Sequence, residues 1–145
     1  MRNETKKELN YSKGESAMIN NFGYIFSEFD LLTIQKINDA RSKNNNFNLN
    51  CGEFKKYIIS EELVDRLFKY GKHYLFKFEN NYGASVVKND SSYGFEEDLW
   101  EMSVIKFDNN GDINLLYDTP ITDNVLGYLT DEKVVNYLKQ IKELK

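Results

Sequence analysis

Residues 72–88 read Lys72-His73-Tyr74-Leu75-Phe76-Lys77-Phe78-Glu79-Asn80-Asn81-Tyr82-Gly83-Ala84-Ser85-Val86-Val87-Lys88. Tyr74, Phe76 and Phe78 alternate with His73, Leu75, Lys77 and Glu79. A period of two puts one set on one face of a strand. Asn80-Asn81 is a turn signal. Tyr82 to Lys88 reads as a second strand, with Ala84 and Val86 on one face. Downstream, residues 89–96 are a loop. Leu99 to Asp108 forms a long strand with Trp100, Met102 and Val104 on one face. Asn110-Gly111 is the strongest hairpin signal in the chain, because both central positions of a type I′ turn need positive φ. Ile113 to Tyr117 returns, and Pro120 breaks it. Thr130 then caps a closing helix striped by Val134, Val135, Leu138 and Ile141.

Upstream the period changes to helical. Ser27-Glu28-Phe29-Asp30 fits a capping box, and Phe29, Leu32, Thr33, Lys36, Ile37 and Ala40 follow at helical spacing, predicting a helix over 28–43. The Asn-rich stretch 42–50 ends it and is a candidate hinge. Ser60 reads as the next cap, with Glu61 and Glu62 in the first turn and Leu63, Val64, Leu67 and Phe68 as a stripe. Gly71 is the expected stop, which makes 60–71 a second helix. Residues 1–14 are polar, without periodicity, and read as a mobile arm. The expectation is an α+β fold: a four-stranded antiparallel meander sheet flanked by N-terminal helices and a C-terminal helix. It comprises one domain over 1–145, with the arm at 1–14, a helical part at 15–71, and the sheet with its closing helix at 72–145.

Composition narrows the function classes. The chain has 145 residues, 10 Phe, 10 Tyr and 1 Trp, an aromatic load that supports a packed core. One Cys excludes an internal disulfide and a Cys-rich zinc site, and one His excludes His pairs as metal ligands. No apolar run approaches a membrane span, and the charged N-terminus does not read as a signal peptide, so a cytoplasmic setting is expected. The formal charge of −4 is unevenly spread. Residues 89–132 hold 11 Asp/Glu against Lys106 alone, a net of −10. Such a block disfavours direct nucleic-acid binding and favours a basic protein surface, a cation or simple solubility.

Chemical motifs are sparse. There is no glycine-rich phosphate loop and no G-x-S-x-G elbow. Cys51 is a candidate nucleophile with His73 as its base. Asp108-Asn109-Asn110-Gly111-Asp112 imitates a calcium loop, but its Gly stands fourth and Thr119 occupies the twelfth position, so a hairpin turn accounts for it. No cofactor or metal is expected. Glu96, Glu97, Asp98 and Glu101 form a dense acidic cluster beside Tyr93, Phe95 and Trp100, residue types that anchor protein interfaces. Asp118 and Asp123 flank Pro120, and the hydroxyls and carboxylates of residues 118–123 suit the capping of a short helical turn through Tyr128.

The stretch Asn81-Tyr82-Gly83-Ala84-Ser85-Val86-Val87, then Ser92-Tyr93-Gly94-Phe95-Glu96, Leu99-Trp100-Glu101 and Tyr117-Asp118-Thr119-Pro120-Ile121-Thr122-Asp123-Asn124-Val125-Leu126-Gly127-Tyr128-Leu129 resembles small proteins encoded by bacteriophages and prophages of low-GC Gram-positive bacteria. The resemblance covers residues 82–144 and brings no catalytic residue with it. It implies a setting in which small acidic proteins occupy surfaces of host defence proteins. The leading expectation is therefore a non-enzymatic inhibitor, such as one of the anti-CRISPR type. Its acidic face would dock on the basic, nucleic-acid-binding surface of a host protein such as a CRISPR effector. The partner-binding set would be Tyr93, Phe95, Glu96, Glu97, Asp98, Trp100, Glu101, Asp118 and Asp123. The alternatives are a phage accessory or homo-oligomeric structural protein and, third, an enzyme using Cys51 with His73 or the carboxylate cluster of Glu96, Glu97, Asp98 and Glu101.

Overall fold

The structure is a computed structural model that describes residues 7–10, 16–19 and 25–145, with side chains from Ser27 onward. Three short strands, β1 (Lys7–Asn10), β2 (Ser16–Ile19) and β3 (Ile25–Ser27), form an antiparallel sheet that leads into helix α1 (Glu28–Ser42). Part of the expected arm is thus a strand, and the rest of 1–14 lies outside the described residues. The capping box is present: Ser27 Oγ accepts from Asp30 N, and the Asp30 carboxylate accepts from Ser27 N. Only Ile37 and Ala40 of the α1 stripe are buried, while Phe29 and Leu32 are exposed.

The main sheet is antiparallel and has six strands, not four: β4 (Ile58–Asp65), β5 (Tyr70–Lys77), β6 (Tyr82–Asn89), β7 (Trp100–Phe107), β8 (Ile113–Leu116) and β9 (Leu126–Leu129). The first five pair in chain order. Strand β9 joins the same edge of β7 as β8, opposite Trp100 and Met102, while β8 lies opposite Val104 to Phe107.

The helix expected over 60–71 is replaced by β4, a turn, and the start of β5. The Ser60-Glu61-Glu62 signature satisfies a local helix rule, but antiparallel pairing with β5 overrides it. Glu61 lies opposite Tyr74 and bridges Lys72 at 2.8 Å, and a bulge at Ile59 shifts the register. The stripe that suggested a helix covers no core, since Leu63 and Leu67 are more than half exposed. Gly71 is not a helix stop either. A Cβ there would sit 2.3 Å from Lys88 O, so glycine lets β6 approach β5 closely.

Helix α2 (Asp131–Lys142) covers one face of the sheet. Thr130 Oγ1 caps it by accepting from Lys133 N. Val134, Leu138 and Ile141 are fully buried in one cluster with Phe76, Ala84, Val86, Met102 and Val104. Each of these side chains other than Ala84 contributes about 1.5–3 kcal/mol of burial. Asn80, in the β5–β6 turn, places its amide nitrogen within 3.1 Å of the carbonyls of Ile141, Lys142 and Leu144, closing the C-terminal end of α2.

The β7–β8 turn keeps its expected place but not its type. Gly111 has φ 83, Asn110 is not among the residues of positive φ, and Gly111 N donates to Asp108 O. This is a type I turn followed by a left-handed glycine, stabilised by Asp108 Oδ1 accepting from Asn110 N and Asp112 N.

The Asn-rich stretch is pinned rather than hinged. Tyr74 Oη donates to Phe47 O at 3.0 Å and accepts from Leu49 N at 3.2 Å, and Asn50 N donates to Asp131 Oδ2.

Candidate functional site

The acidic cluster divides into inward and outward groups, because strand and turn geometry send neighbouring residues in opposite directions. Phe95 and Trp100 are 2% and 1% exposed, so neither is a surface anchor in this fold. Trp100 stacks edge-on against Tyr74, and its Nε1 donates to Asp131 Oδ1 at 2.8 Å. Asp98 also serves the fold. Its carboxylate accepts from Asn46 N at 3.0 Å and from Lys88 Nζ at 2.8 Å. Lys88 is the one buried charged side chain among the described residues. It also donates to Asn46 O and lies 4.2 Å from the centre of the Trp100 ring. Lys88, Asp98, Trp100 and Asn46 thus tie the loop after α1 to the sheet.

Tyr93, Glu96 and Glu97 form the outward group. The loop that carries them is fixed at several points. Ser92 N donates to Asn89 O, Leu99 N to Gly94 O, and Tyr93 N to Glu101 Oε1. Gly94 has φ 100, and a Cβ there would lie 3.1 Å from Tyr128 Cα, so the loop packs directly on β9. Tyr128, missed in the sequence, therefore stands beside Tyr93. The sequence predicts a helical turn through Tyr128, whereas the residue lies on strand β9. Tyr93 is 59% exposed and Tyr128 54%, and together with Glu96, Glu97 and Lys36 they line a groove of about 270 Å³. Tyr128 has φ 57, an unfavourable backbone conformation for an aromatic residue. Lys36, reaching from α1, lies 3.4 Å from Glu96 and donates to Asp90 O.

Asp118 and Asp123 are exposed on the excursion between β8 and β9. Of the hydroxyls and carboxylates expected to cap this segment, the hydroxyls do so: Thr119 Oγ1 accepts from Ile121 N and Thr122 N, and Thr122 Oγ1 accepts from Asn124 N. Among the described residues the carboxylates of Glu97, Asp118 and Asp123 have no ion pair.

Cys51 and His73 do not meet. Cys51 is buried in the core cluster, where desolvation pushes its thiol pKa up. His73 alternates with the core residue Tyr74 and belongs to the opposite face of β5. There it lies across from Glu62 and Val87, with Nε2 2.8 Å from Ser85 Oγ. Burial lowers the His73 pKa, partly opposed by Glu62. Among the described residues no group of three His, Cys, Asp or Glu converges to hold a metal, and no helix is long and apolar enough to cross a membrane. The arrangement presents exposed carboxylates and the Tyr93 phenol on a braced loop, with the Tyr128 phenol beside them on β9. No family model, no curated protein and no solved structure matches the chain.

Proposed function

We propose that the chain is a non-enzymatic, phage-encoded binding protein. It acts in the host bacterium by docking an acidic surface on the basic, nucleic-acid-binding surface of a defence protein such as a CRISPR nuclease. The observation that carries this reading is the exposed set Glu97, Asp118 and Asp123, without ion pairs among the described residues, on segments that also present Tyr93 and Tyr128. Unneutralised carboxylates steer toward a basic groove, and tyrosines supply apolar contact area with a polar tip. Phe95, Asp98 and Trp100 leave the contact set for the fold, and Tyr128 joins it. The test is the combined substitution Glu97→Lys, Asp118→Lys and Asp123→Lys. We expect a folded protein with unchanged thermal midpoint whose capture of a basic partner falls at least tenfold, about 1.4 kcal/mol or more. Undiminished capture by the folded variant would refute the reading.

A further inference from the structure

Tyr93-Gly94 and Gly127-Tyr128 pack on each other, and each glycine makes room for the other segment. A Cβ at Gly127 would lie 2.7 Å from Tyr93 Cβ, so the Tyr93 side chain crosses directly over that glycine. A Cβ at Gly94 would press on Tyr128 Cα, and Tyr128 N donates to Tyr93 O at 3.4 Å. The two exposed phenols therefore rise from adjoining backbone at the wall of the groove of about 270 Å³. Asp90, Glu96 and Glu97 line this groove against one cation, Lys36. Lys36 is taken up by Glu96 and by Asp90 O, and Glu97 has no ion pair among the described residues.

Other rings of the chain show what this groove lacks. Those of Tyr57, Tyr70, Tyr74, Tyr82, Trp100 and Phe107 each carry a lysine or arginine of the chain, 4.2 to 5.5 Å from the ring centre. Among the described residues, Tyr93 and Tyr128 have neither a cation nor a second ring against them. We infer that the groove takes the guanidinium of an arginine on the basic partner, laid against the Tyr93 and Tyr128 rings and paired with Glu97. This inference rests on the acidic-surface reading and names the side chain that the surface recognises. The excess of carboxylates selects a cation, and the rings select its type. A guanidinium is planar and weakly hydrated, so it stacks on a phenol face while its N–H fork meets a carboxylate. An ammonium is compact and strongly hydrated, and gains less from the same rings. Carboxylates alone would not separate two cations of equal charge.

The test is a titration of the isotope-labelled full chain with Nα-acetyl-arginine amide, followed by NMR at constant ionic strength. Nα-acetyl-lysine amide, of the same charge, is the control. We expect saturating shifts centred on Tyr93, Gly94, Glu97, Gly127 and Tyr128, with a dissociation constant of roughly 1–10 mM. The lysine amide should bind at least threefold more weakly. Tyr128→Leu should abolish the saturating shifts, and Tyr128→Phe, which keeps the ring, should retain them. Shifts that do not saturate, equal binding of the lysine amide, or binding retained by Tyr128→Leu would overturn the inference. The probe contains no partner protein, so the two readings fail separately. If the arginine amide does not bind while the Glu97→Lys, Asp118→Lys, Asp123→Lys variant still loses its basic partner, the arginine site falls and the acidic-surface reading stands. Saturating arginine binding with capture undiminished in that variant would keep the site and refute the wider reading.

Discussion

Lys88 shows how a single buried charge organises its surroundings. Its ammonium is held by Asp98, Asn46 O and the Trp100 face, and only the aspartate balances its charge. Removing one partner of a buried pair leaves an uncompensated ion, whereas removing the ion itself leaves a hydrophobic stem in place. Because the Asp98 carboxylate is partly exposed, Asp98→Asn is expected to cost about 2 kcal/mol in urea unfolding, and Lys88→Met clearly less. Equal costs would mean that the charge is not what Asp98 satisfies. His73 makes a second prediction through pH. Burial first, opposed by Glu62, depresses its folded pKa below the ordinary value of 6.5, so the unfolded chain binds the proton more readily. The stability associated with neutral His73 is present above about pH 6.5 and is lost as pH falls through that value toward the folded pKa. Against His73→Gln, the natural chain should lose more stability between about pH 7.5 and 5, and parallel profiles would contradict this.

At the scale of elements, Leu63 and Leu67 separate the two readings of residues 60–71. On a packed helix they would be core, and Leu63→Lys or Leu67→Lys would cost several kcal/mol. As exposed side chains on β4 and the turn after it they should change the thermal unfolding free energy by no more than about 0.5 kcal/mol. This segment also shows where the sequence stops being legible. Strands β5 to β8 and both capped helices were readable because alternation, turn residues and caps all agree there. Between Ser60 and Gly71 the cap signature and the stripe agree with each other and still mislead. The deciding contact, the pairing of Glu61 and Leu63 with Tyr74 and Lys72, is nonlocal. The same limit hid β9. Hydroxyl-held turns at Thr119 and Thr122 return the chain to β7, and no local signal shows that Tyr128 will arrive beside Tyr93. Within the acidic cluster, residue type was legible but direction was not. Asp98 and Trp100 look like their surface neighbours until the backbone turns them toward Lys88.

For the molecule as a whole, a net of −10 over residues 89–132 is the feature with the longest reach. Part of that charge is engaged in the fold through Asp98, and Glu96 is paired with Lys36. Glu97, Asp118 and Asp123 remain exposed among the described residues, so a basic surface would meet carboxylates that need little rearrangement. The most direct measurement is capture of host-lysate proteins by the tagged full chain at low and high salt, beside the Glu97→Lys, Asp118→Lys, Asp123→Lys variant. The account predicts one stoichiometric nucleic-acid-binding partner that is held at low salt, released at high salt and lost by the variant. A partner retained by the folded variant, or no partner at either salt, would contradict it.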